Sequence, residues 1–267
     1  MKHDLQTKGY VIIPNFLTEK EIQVFLDDYK DQCDNITDTT DHDVYIADVS
    51  KLASSSIHKK IFEILNQLNF DVDTIIPGGY YTNTKEGIME WHQDHGNYYL
   101  FQQSYNYLNF YIPIEKPNKS LSGLSIIPMN SLEELSKEYF LALLNSGARR
   151  FYTKNNSTQV HDDETDNVWT MPINIDNIKS NPDLSVGDLI IIRGDVIHKS
   201  QDDITKRIAI SIRATNGSAL VSKGKILTGG KMKQQMFENF SQRVIGIFEK
   251  LNKEEISARE ILYELNL

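Results

Sequence analysis

The chain has 267 residues, of which 40% are hydrophobic and 24% charged, as is typical of a folded globular protein. Its formal net charge of -9 argues against nucleic acids or anionic membranes as partners, because both reward an excess of Lys and Arg. A single cysteine, Cys33, excludes an internal disulfide and a thiolate metal cluster, so a metal site here needs His, Asp or Glu. No apolar run approaches the roughly 20 residues of a membrane helix, and the N-terminus lacks a signal-peptide segment, so we expect a cytoplasmic protein.

The N-terminal part of the sequence predicts one strand followed by two helices. The apolar run Tyr10–Ile13 has the character of a strand. Thr18 and Glu21 then form a capping-box pattern that opens an amphipathic helix. After a polar loop over residues 32–43, an apolar stripe predicts a second helix over residues 55–68.

Between about residues 70 and 219 the pattern changes to short strands, which are rich in β-branched and aromatic residues and bounded by Gly, Pro, Asn or Asp. Successive short strands predict an antiparallel sandwich or barrel. One helix is predicted among them over residues 131–145, where Ser131 and Glu134 repeat the capping-box pattern. The polar stretch 154–167 after it predicts a loop.

The chain ends in a stretch of helical periodicity over about residues 230–267. Nothing repeats at a fixed period and no low-complexity linker divides the chain, so we predict one domain over residues 1–267. The amphipathic tail either packs on the outer face of the barrel or pairs with a second subunit in a homodimer. The sequence leaves both arrangements open.

Two candidate metal ligands stand close together in a segment of strand character. Alternate side chains of a strand share a face, so His92 and Asp94 project together while Gln93 points away. Imidazole and carboxylate suit a divalent ion such as Fe(II), and a further histidine would complete a triad that leaves coordination positions open. Chance is the alternative, and we interpret a second copy of the pattern, at His161 and Asp162, in that way because it lies in an acidic polar stretch.

His198 is the best candidate for the third ligand, because it follows an apolar strand and a turn. Nine residues later Arg207 opens a further strand, on which alternation places Ser211 and Arg213 on the face of Arg207. A cationic side chain therefore faces the same interior as the predicted metal. A capped turn for His198 and a structural salt bridge for Arg207 are the alternative interpretations.

Together these motifs resemble the Fe(II)/2-oxoglutarate-dependent oxygenases, in particular the phytanoyl-CoA dioxygenase-like family. The resemblance spans roughly residues 8 to 216. The sequences that carry it are GYVIIPNFLTEKEI at 9–22, WHQD at 91–94, GDLIIIRGDVIH at 187–198 and KRIAISIRA at 206–214.

The resemblance implies a mainly β fold, a double-stranded β-helix or jelly-roll barrel, with flanking helices and Fe(II) bound by His92, Asp94 and His198. Arg207 would pair with the distal carboxylate of 2-oxoglutarate, with Arg213 as its rival. The implied reaction uses O2, converts 2-oxoglutarate into succinate and carbon dioxide, and oxidises an unactivated carbon. Because related halogenases carry Gly or Ala in place of the carboxylate, Asp94 favours hydroxylation over chlorination.

Weaker candidates complete the predicted site. To cosubstrate binding we assign Asn83 and Tyr81, from the strand before the metal motif, together with Asn109 and Ser211. Aromatic packing inside the barrel is an equally good interpretation of the tyrosines, and exposure to solvent is the alternative for His95. The substrate pocket is predicted from side chains beside the motif or on the same strand faces, namely Trp91, His95, Tyr98, Tyr107, Tyr111 and Arg213.

These features predict an enzyme that hydroxylates a small molecule and binds neither nucleic acid nor a membrane. An amino acid or an intermediate of specialised metabolism is favoured over acyl-CoA, because the chain is acidic and lacks a Lys- and Arg-rich patch near the site. Residues 130–170 are expected to supply a lid. The alternative function is a jelly-roll sensor that binds metal and 2-oxoglutarate without turnover.

Overall fold

The computed structural model describes residues 1–34, 45–84, 90–121, 123–201 and 207–265. Two six-stranded antiparallel sheets form the jelly-roll fold that the sequence predicts. The first sheet consists, in spatial order, of β1 (Tyr10–Ile13), β10 (Leu189–Arg193), β5 (Tyr107–Glu115), β12 (Arg207–Thr215), β3 (Thr74–Thr84) and β2 (Tyr45–Asp48). The second sheet consists of β6 (Leu124–Ile126), β11 (His198–Ser200), β4 (His92–Gln93), β7 (Arg149–Lys154), β8 (Ser157–Asp162) and β9 (Asn167–Met171).

Helices surround the two sheets. They are α1 (Lys2–Thr7), α2 (Glu19–Asp34), α3 (Lys51–Leu68), α4 (Met129–Leu135), α5 (Lys137–Leu143), α6 (Lys223–Leu227), α7 (Lys231–Leu251) and α8 (Ala258–Glu264), with a π-helical turn at Asn97–Phe101 and a 3₁₀ turn at Ile175–Ile178. Within the described ranges, none of these helices combines the length and apolar character that crossing a bilayer requires.

The outer face of the first sheet packs against α2 and α3. Ile208, Ile210 and Ile212 of β12 are buried in one cluster with Phe25 of α2 and Ile61 of α3. Because strand side chains alternate between faces, this burial turns the intervening residues of β12 toward the interior of the barrel. Burial of the apolar face of β12 thus directs its polar face toward the barrel interior.

Capping side chains set the beginnings of the two N-terminal helices. The backbone N–H of Thr18 donates to Glu21 and that of Glu21 donates to the Thr18 hydroxyl, as the capping-box pattern predicts. The second helix begins at Lys51, earlier than predicted, because the Ser50 hydroxyl accepts from the backbone N–H of Ala53.

The single helix predicted over residues 131–145 is wrong, because two short helices occupy this region. Ser136 has an extended backbone with φ of -160°, which ends α4, and its hydroxyl accepts from the backbone N–H of Tyr139 to cap α5. Leu132 and Leu143 from these helices pack in a cluster with Trp91. No residue of 130–170 lines the cavity described below, and the expected lid stays a prediction.

The loop predicted over residues 154–167 is also wrong, because β8 runs through this stretch and only the two short hairpin turns beside it lie outside the strands. Phe151, Val160 and Met171 are buried on one face, while the polar residues between them give the sequence its loop-like composition. Asn155 and Asp166, with φ of 54° and 59°, supply the left-handed backbone that the two hairpin turns require.

The C-terminal tail packs on its own barrel. Strand β14 (Glu255–Ser257) pairs with β13 (Leu220–Ser222), and α8 begins at a full capping box. Val244 and Phe248 of α7 are buried in one cluster with Phe101 and Tyr107 from the barrel. The tail is therefore helical, as expected, with a short two-stranded sheet added, and the homodimer stays a prediction.

Candidate metal centre

Strand pairing brings the two predicted histidine ligands together. His92 of β4 is the register partner of His198 of β11, and their ring centroids are 4.4 Å apart. Asp94 follows β4 directly, and its Oδ1 lies 3.6 Å from Nε2 of each histidine. Ligands bound to one divalent ion at about 2.1 Å lie roughly 3 to 3.5 Å from one another, so the three side chains fit a single ion.

Backbone carbonyls orient both imidazole rings. Nδ1 of His92 lies 2.7 Å from the carbonyl oxygen of Glu90, and Nδ1 of His198 lies 3.0 Å from that of Val196. A carbonyl only accepts, so each Nδ1 carries the proton and donates it. Each Nε2 lone pair is therefore free to bind a metal, and the bond at Nδ1 holds its ring in place.

The charges of the cluster also suit metal binding. Burial opposes the ionisation of Asp94, but His92, His198 and Arg213 outweigh it and hold the pKa of that carboxyl well below its usual range. Burial, together with the neighbouring His92, lowers the pKa of His198 to about 4. At neutral pH the cluster thus presents a carboxylate and a neutral imidazole, which are the forms that coordinate metals.

The polypeptide behind the ligands is held by buried hydrogen bonds. Gln93 points away from the cluster, and its amide donates to the carbonyls of Leu143 and Asp195. Asp195 in turn forms a buried ion pair with Arg193, at 2.8 Å, in the turn that precedes His198. The same side chains therefore brace both ligand-bearing segments.

Gly147 allows the chain to pass closely beside the metal motif. A Cβ at this position would meet Cβ of Tyr98 at 2.7 Å and the carbonyl oxygen of Asp94 at 3.0 Å. That carbonyl accepts from the backbone N–H of Ala148 at 2.9 Å. A larger residue would therefore push this segment away from Asp94.

A cavity opens in front of the three ligands, and Arg207 lies in its wall. The guanidinium is buried, with Nη1 donating to the carbonyl of Gly123 at 2.9 Å and Nη2 to the hydroxyl of Ser200 at 2.8 Å. No carboxylate of the described residues forms an ion pair with it. The hydroxyl of Tyr111, also in the wall, is buried and has no hydrogen-bond partner within the described ranges, and burial raises its pKa. These groups suit an anionic ligand.

Of the fourteen side chains predicted for the site, eight are found among the described residues that line this cavity. Asn109 makes the most direct contact with the ligands, because its Nδ2 donates to Oδ2 of Asp94. The eight are His92, Asp94, Asn109, Tyr111, His198, Arg207, Ser211 and Arg213.

Tyr81 is placed elsewhere, and its assignment to the cosubstrate is corrected. Its ring lies in the core between the first sheet and the helices, and its hydroxyl donates to Asp28 at 2.6 Å. Tyr80 and Thr82 line the cavity instead, because neighbouring strand residues point to opposite faces. The side chain of Asn83 lies outside the described part of the chain.

Trp91 is likewise corrected. Its indole is buried in an apolar cluster on the other face of the second sheet, and Nε1 donates to Asp176 at 3.1 Å. Trp91 directly precedes His92, the first residue of β4, and its side chain points to the opposite face.

The remaining predicted pocket residues surround the site without lining the cavity. Tyr107 packs against Phe101, with ring centroids 5.9 Å apart, and Lys225 of the tail lies over the ring of Tyr98 at 5.1 Å. Nε2 of His95 lies 2.8 Å from Oδ2 of Asp163. The structure thus gives these three side chains packing or ion-pair contacts.

Among the described residues, sequence reasoning missed six that line the cavity. Ser200 was recognisable, because it stands two residues after His198 and so shares its strand face. Nothing in the sequence pattern indicated that Lys199 lines the cavity. The six are Tyr80, Thr82, Leu124, Ile192, Lys199 and Ser200.

No protein-family model matches the chain, and no curated protein matches its sequence. Similar folds occur among solved structures. The non-heme alpha ketoglutarate dependent carbocyclase SnoK from nogalamycin biosynthesis is 11% identical, with a TM-score of 0.53 over 89% of this chain and 88% of that chain. EctD from S. alaskensis is 10% identical, with a TM-score of 0.54 over 83% and 78%. HygX from Streptomyces hygroscopicus, solved with nickel and 2-oxoglutarate bound, is 11% identical, with a TM-score of 0.50 over 80% and 85%.

The chain has the fold of these proteins. At such low identity the likeness concerns the fold alone, and the resemblance to the phytanoyl-CoA dioxygenase-like family stays a prediction.

Proposed function

We propose that this protein is an Fe(II)- and 2-oxoglutarate-dependent oxygenase that hydroxylates a small organic molecule. One observation carries the proposal: the His92, Asp94 and His198 cluster and the buried guanidinium of Arg207 line the same cavity. The solved proteins of similar fold support it, because SnoK is described as alpha ketoglutarate dependent and HygX as binding 2-oxoglutarate.

The donor set fits Fe(II). Two imidazole nitrogens and one carboxylate oxygen form the facial triad of non-haem iron oxygenases, and they leave coordination positions open toward the cavity. Hydrogen bonds at both Nδ1 atoms and from Asn109 to Asp94 fix the ligands in one geometry. When bound, Fe(II) and 2-oxoglutarate supply the oxidising chemistry, in which the keto acid and O2 yield succinate, carbon dioxide and a hydroxylated substrate.

Arg207, Ser200 and Tyr111 provide a cradle for the distal carboxylate of 2-oxoglutarate. The guanidinium lacks a carboxylate partner among the described residues, and the Tyr111 hydroxyl has an unused donor. A carboxylate bound here would pair with the buried charge and accept from both groups, which would offset the cost of burying them. The keto acid would thereby be held with its other end toward the metal.

The primary substrate is proposed to be an amino acid or an intermediate of specialised metabolism in preference to acyl-CoA. A phosphate-rich ligand needs a cluster of cations, whereas Lys199, the lysine in the cavity wall, lies over the Trp91 ring and 3.8 Å from Asp176. The chain is also acidic overall.

Succinate release tests the proposal. The protein is loaded with Fe(II) without oxygen, mixed with 2-oxoglutarate, and exposed to O2, and succinate is measured against Asp94→Ala and Arg207→Gln as matched controls. Succinate from the wild type alone is the expected result. Binding of 2-oxoglutarate without succinate from any variant or metabolite mixture would point to a non-catalytic sensor. Failure of 2-oxoglutarate to bind would overturn the proposal.

A further inference from the structure

The cavity wall carries two guanidiniums, and the cosubstrate accounts for one of them. We infer that the second, Arg213, binds a carboxylate of the primary substrate, so that the enzyme acts on a carboxylic acid. This inference rests on the proposed function, since it takes the Arg207 end of the cavity to be filled by 2-oxoglutarate.

The two arginines lie on opposite sides of the metal ligands. Ser200 stands two residues beyond His198 and meets Arg207. In the other direction, Asp94 accepts from Asn109, which is the register partner of Arg213. The ligand cluster therefore lies between the two cationic side chains along the barrel.

The distance between Arg207 and Arg213 allows each of them to bind a different ligand. Six residues of extended strand span roughly 20 Å between the Cα atoms of Arg207 and Arg213. Hydrogen bonds tie the first guanidinium to Ser200 and Gly123, while the second lies over the Tyr80 ring, 4.6 Å from its centroid. A five-carbon keto acid that pairs with Arg207 and chelates the metal would occupy the Arg207 side of the ligand cluster, and the Arg213 side is left for the primary substrate.

Arg213 has unused capacity for an anion. Among the described residues, one of its five N–H donors is used, in a bond from Nη2 to the Tyr80 hydroxyl. No carboxylate of the described ranges lies within ion-pair distance of it, although its charge acts on Asp94 and His198. Arg213 therefore interacts with Asp94 only at a distance, and its unused donors can pair directly with an anionic ligand.

Asn109 adds a complementary group to this subsite. Its Nδ2 is engaged with Asp94, but its Oδ1 is buried without a hydrogen-bond partner in the described part of the chain. An amide oxygen accepts hydrogen bonds, so it suits an amino or hydroxyl group. Arg213 and Asn109 together complement a carboxylate that carries such a donor nearby, as in an amino or hydroxy acid.

Charge balance favours a carboxylate over a phosphate. A divalent ion and Arg207 carry three positive charges, which the Asp94 carboxylate and the two carboxylates of 2-oxoglutarate balance. The charge of Arg213 then remains as one unbalanced positive charge in the cavity. A carboxylate neutralises it, whereas a phosphate dianion would leave an excess negative charge beside Asp94.

The test uses acetate and propionate as carboxylate probes, with acetamide and propionamide as neutral controls of matched shape. Each is titrated calorimetrically into protein saturated with Ni(II) and 2-oxoglutarate, at constant ionic strength. We expect the acids to bind at millimolar concentrations and the amides not to bind. Arg213→Gln should weaken acetate binding about tenfold or more, Arg213→Lys less so, and neither should change 2-oxoglutarate affinity more than about threefold.

Arg207→Gln is the matched control and should show the reverse pattern, losing 2-oxoglutarate. Equal binding of acid and amide, no binding of either acid, or unchanged acetate binding by Arg213→Gln would each overturn the inference. A loss of 2-oxoglutarate by Arg213→Gln as large as that of Arg207→Gln would do so too. Failure of the wild type to bind 2-oxoglutarate would instead overturn the proposed function.

Discussion

Nε2 of His198 lies 3.6 Å from Oδ1 of Asp94, although the two residues are 104 positions apart in the chain. The metal site is thus built from distant segments of the chain, and Asp94 contributes its carboxylate. Removing this carboxylate should disrupt metal binding. For Asp94→Ala we expect the affinity for Ni(II) to fall by more than about a hundredfold, beyond the 10–100-fold typical of outer-sphere changes. Titration calorimetry measures this loss. His161→Ala, from the second copy of the motif, should bind metal like the wild type.

Asn109 should act on the metal through Asp94. Asn109→Leu keeps the side-chain volume but removes the donor to Oδ2 of Asp94. We expect Ni(II) affinity to fall about 10–100-fold with little change in melting temperature. A variant that binds Ni(II) as tightly as the wild type would show that this hydrogen bond does not orient the ligand.

The substitution Tyr81→Phe tests whether Tyr81 belongs to the core or to the cavity. The change removes the donor to Asp28, a partly buried hydrogen bond to a carboxyl group, so the free energy of unfolding should fall by about 1–3 kcal/mol. Affinity for 2-oxoglutarate should stay unchanged because Tyr81 faces away from the cavity. Urea unfolding and calorimetry check the two parts, and a loss of 2-oxoglutarate binding in a folded variant would contradict the placement.

The ion pairs of Asp163 predict a pH-dependent contribution to stability. Burial opposes its ionisation, but His95 and Arg150 outweigh burial and lower the pKa of Asp163 to about 2. Because the folded pKa lies below the unfolded one, the stabilisation is complete above about pH 4 and is lost as the pH falls toward 2. Asp163→Asn should cost about 2 kcal/mol at pH 6 and about half of that at pH 3.

Urea unfolding of wild type and Asp163→Asn at pH 6, 4 and 3 measures this difference. Asp27→Asn, at an exposed position of α2, serves as the control and should show no comparable trend. A gap between wild type and Asp163→Asn that stays constant from pH 6 to pH 3 would rule out the ion pairs as its source.

Local periodicity was enough to predict which faces of the central strands are polar. Ile208, Ile210 and Ile212 alternate with Arg207 and Arg213, and burial of the isoleucines leaves the arginines only the interior. Tyr81 was assigned to the site from its place in the strand before the metal motif, and its face was not predicted. Its register partner is the buried Ile210, whereas Tyr80 pairs with Ser211 of the cavity wall, so Tyr81 faces the core. This register joins strands far apart in the chain, so counting along one strand does not reveal it.

The prediction from composition was wrong for β8, because one face of this strand is exposed to solvent and polar. The polar residues of β8 resemble a loop, yet Val160 and Phe151 pair across the hairpin and bury its other face. Such a strand is stabilised by its partners more than by its own propensity, and the partners are not visible in a local window.

The sequence by itself determined which chemical groups the candidate site contains and on which faces of their strands these groups lie. Side-chain alternation is a local property of an extended backbone, so it is legible from His92 and Asp94 or from Arg207 and Arg213 alone. The tertiary structure alone decided that His198 pairs with His92, and that the ligands separate the two arginines. Such relationships arise from the register of strands far apart in the chain, which the packing of both sheets fixes.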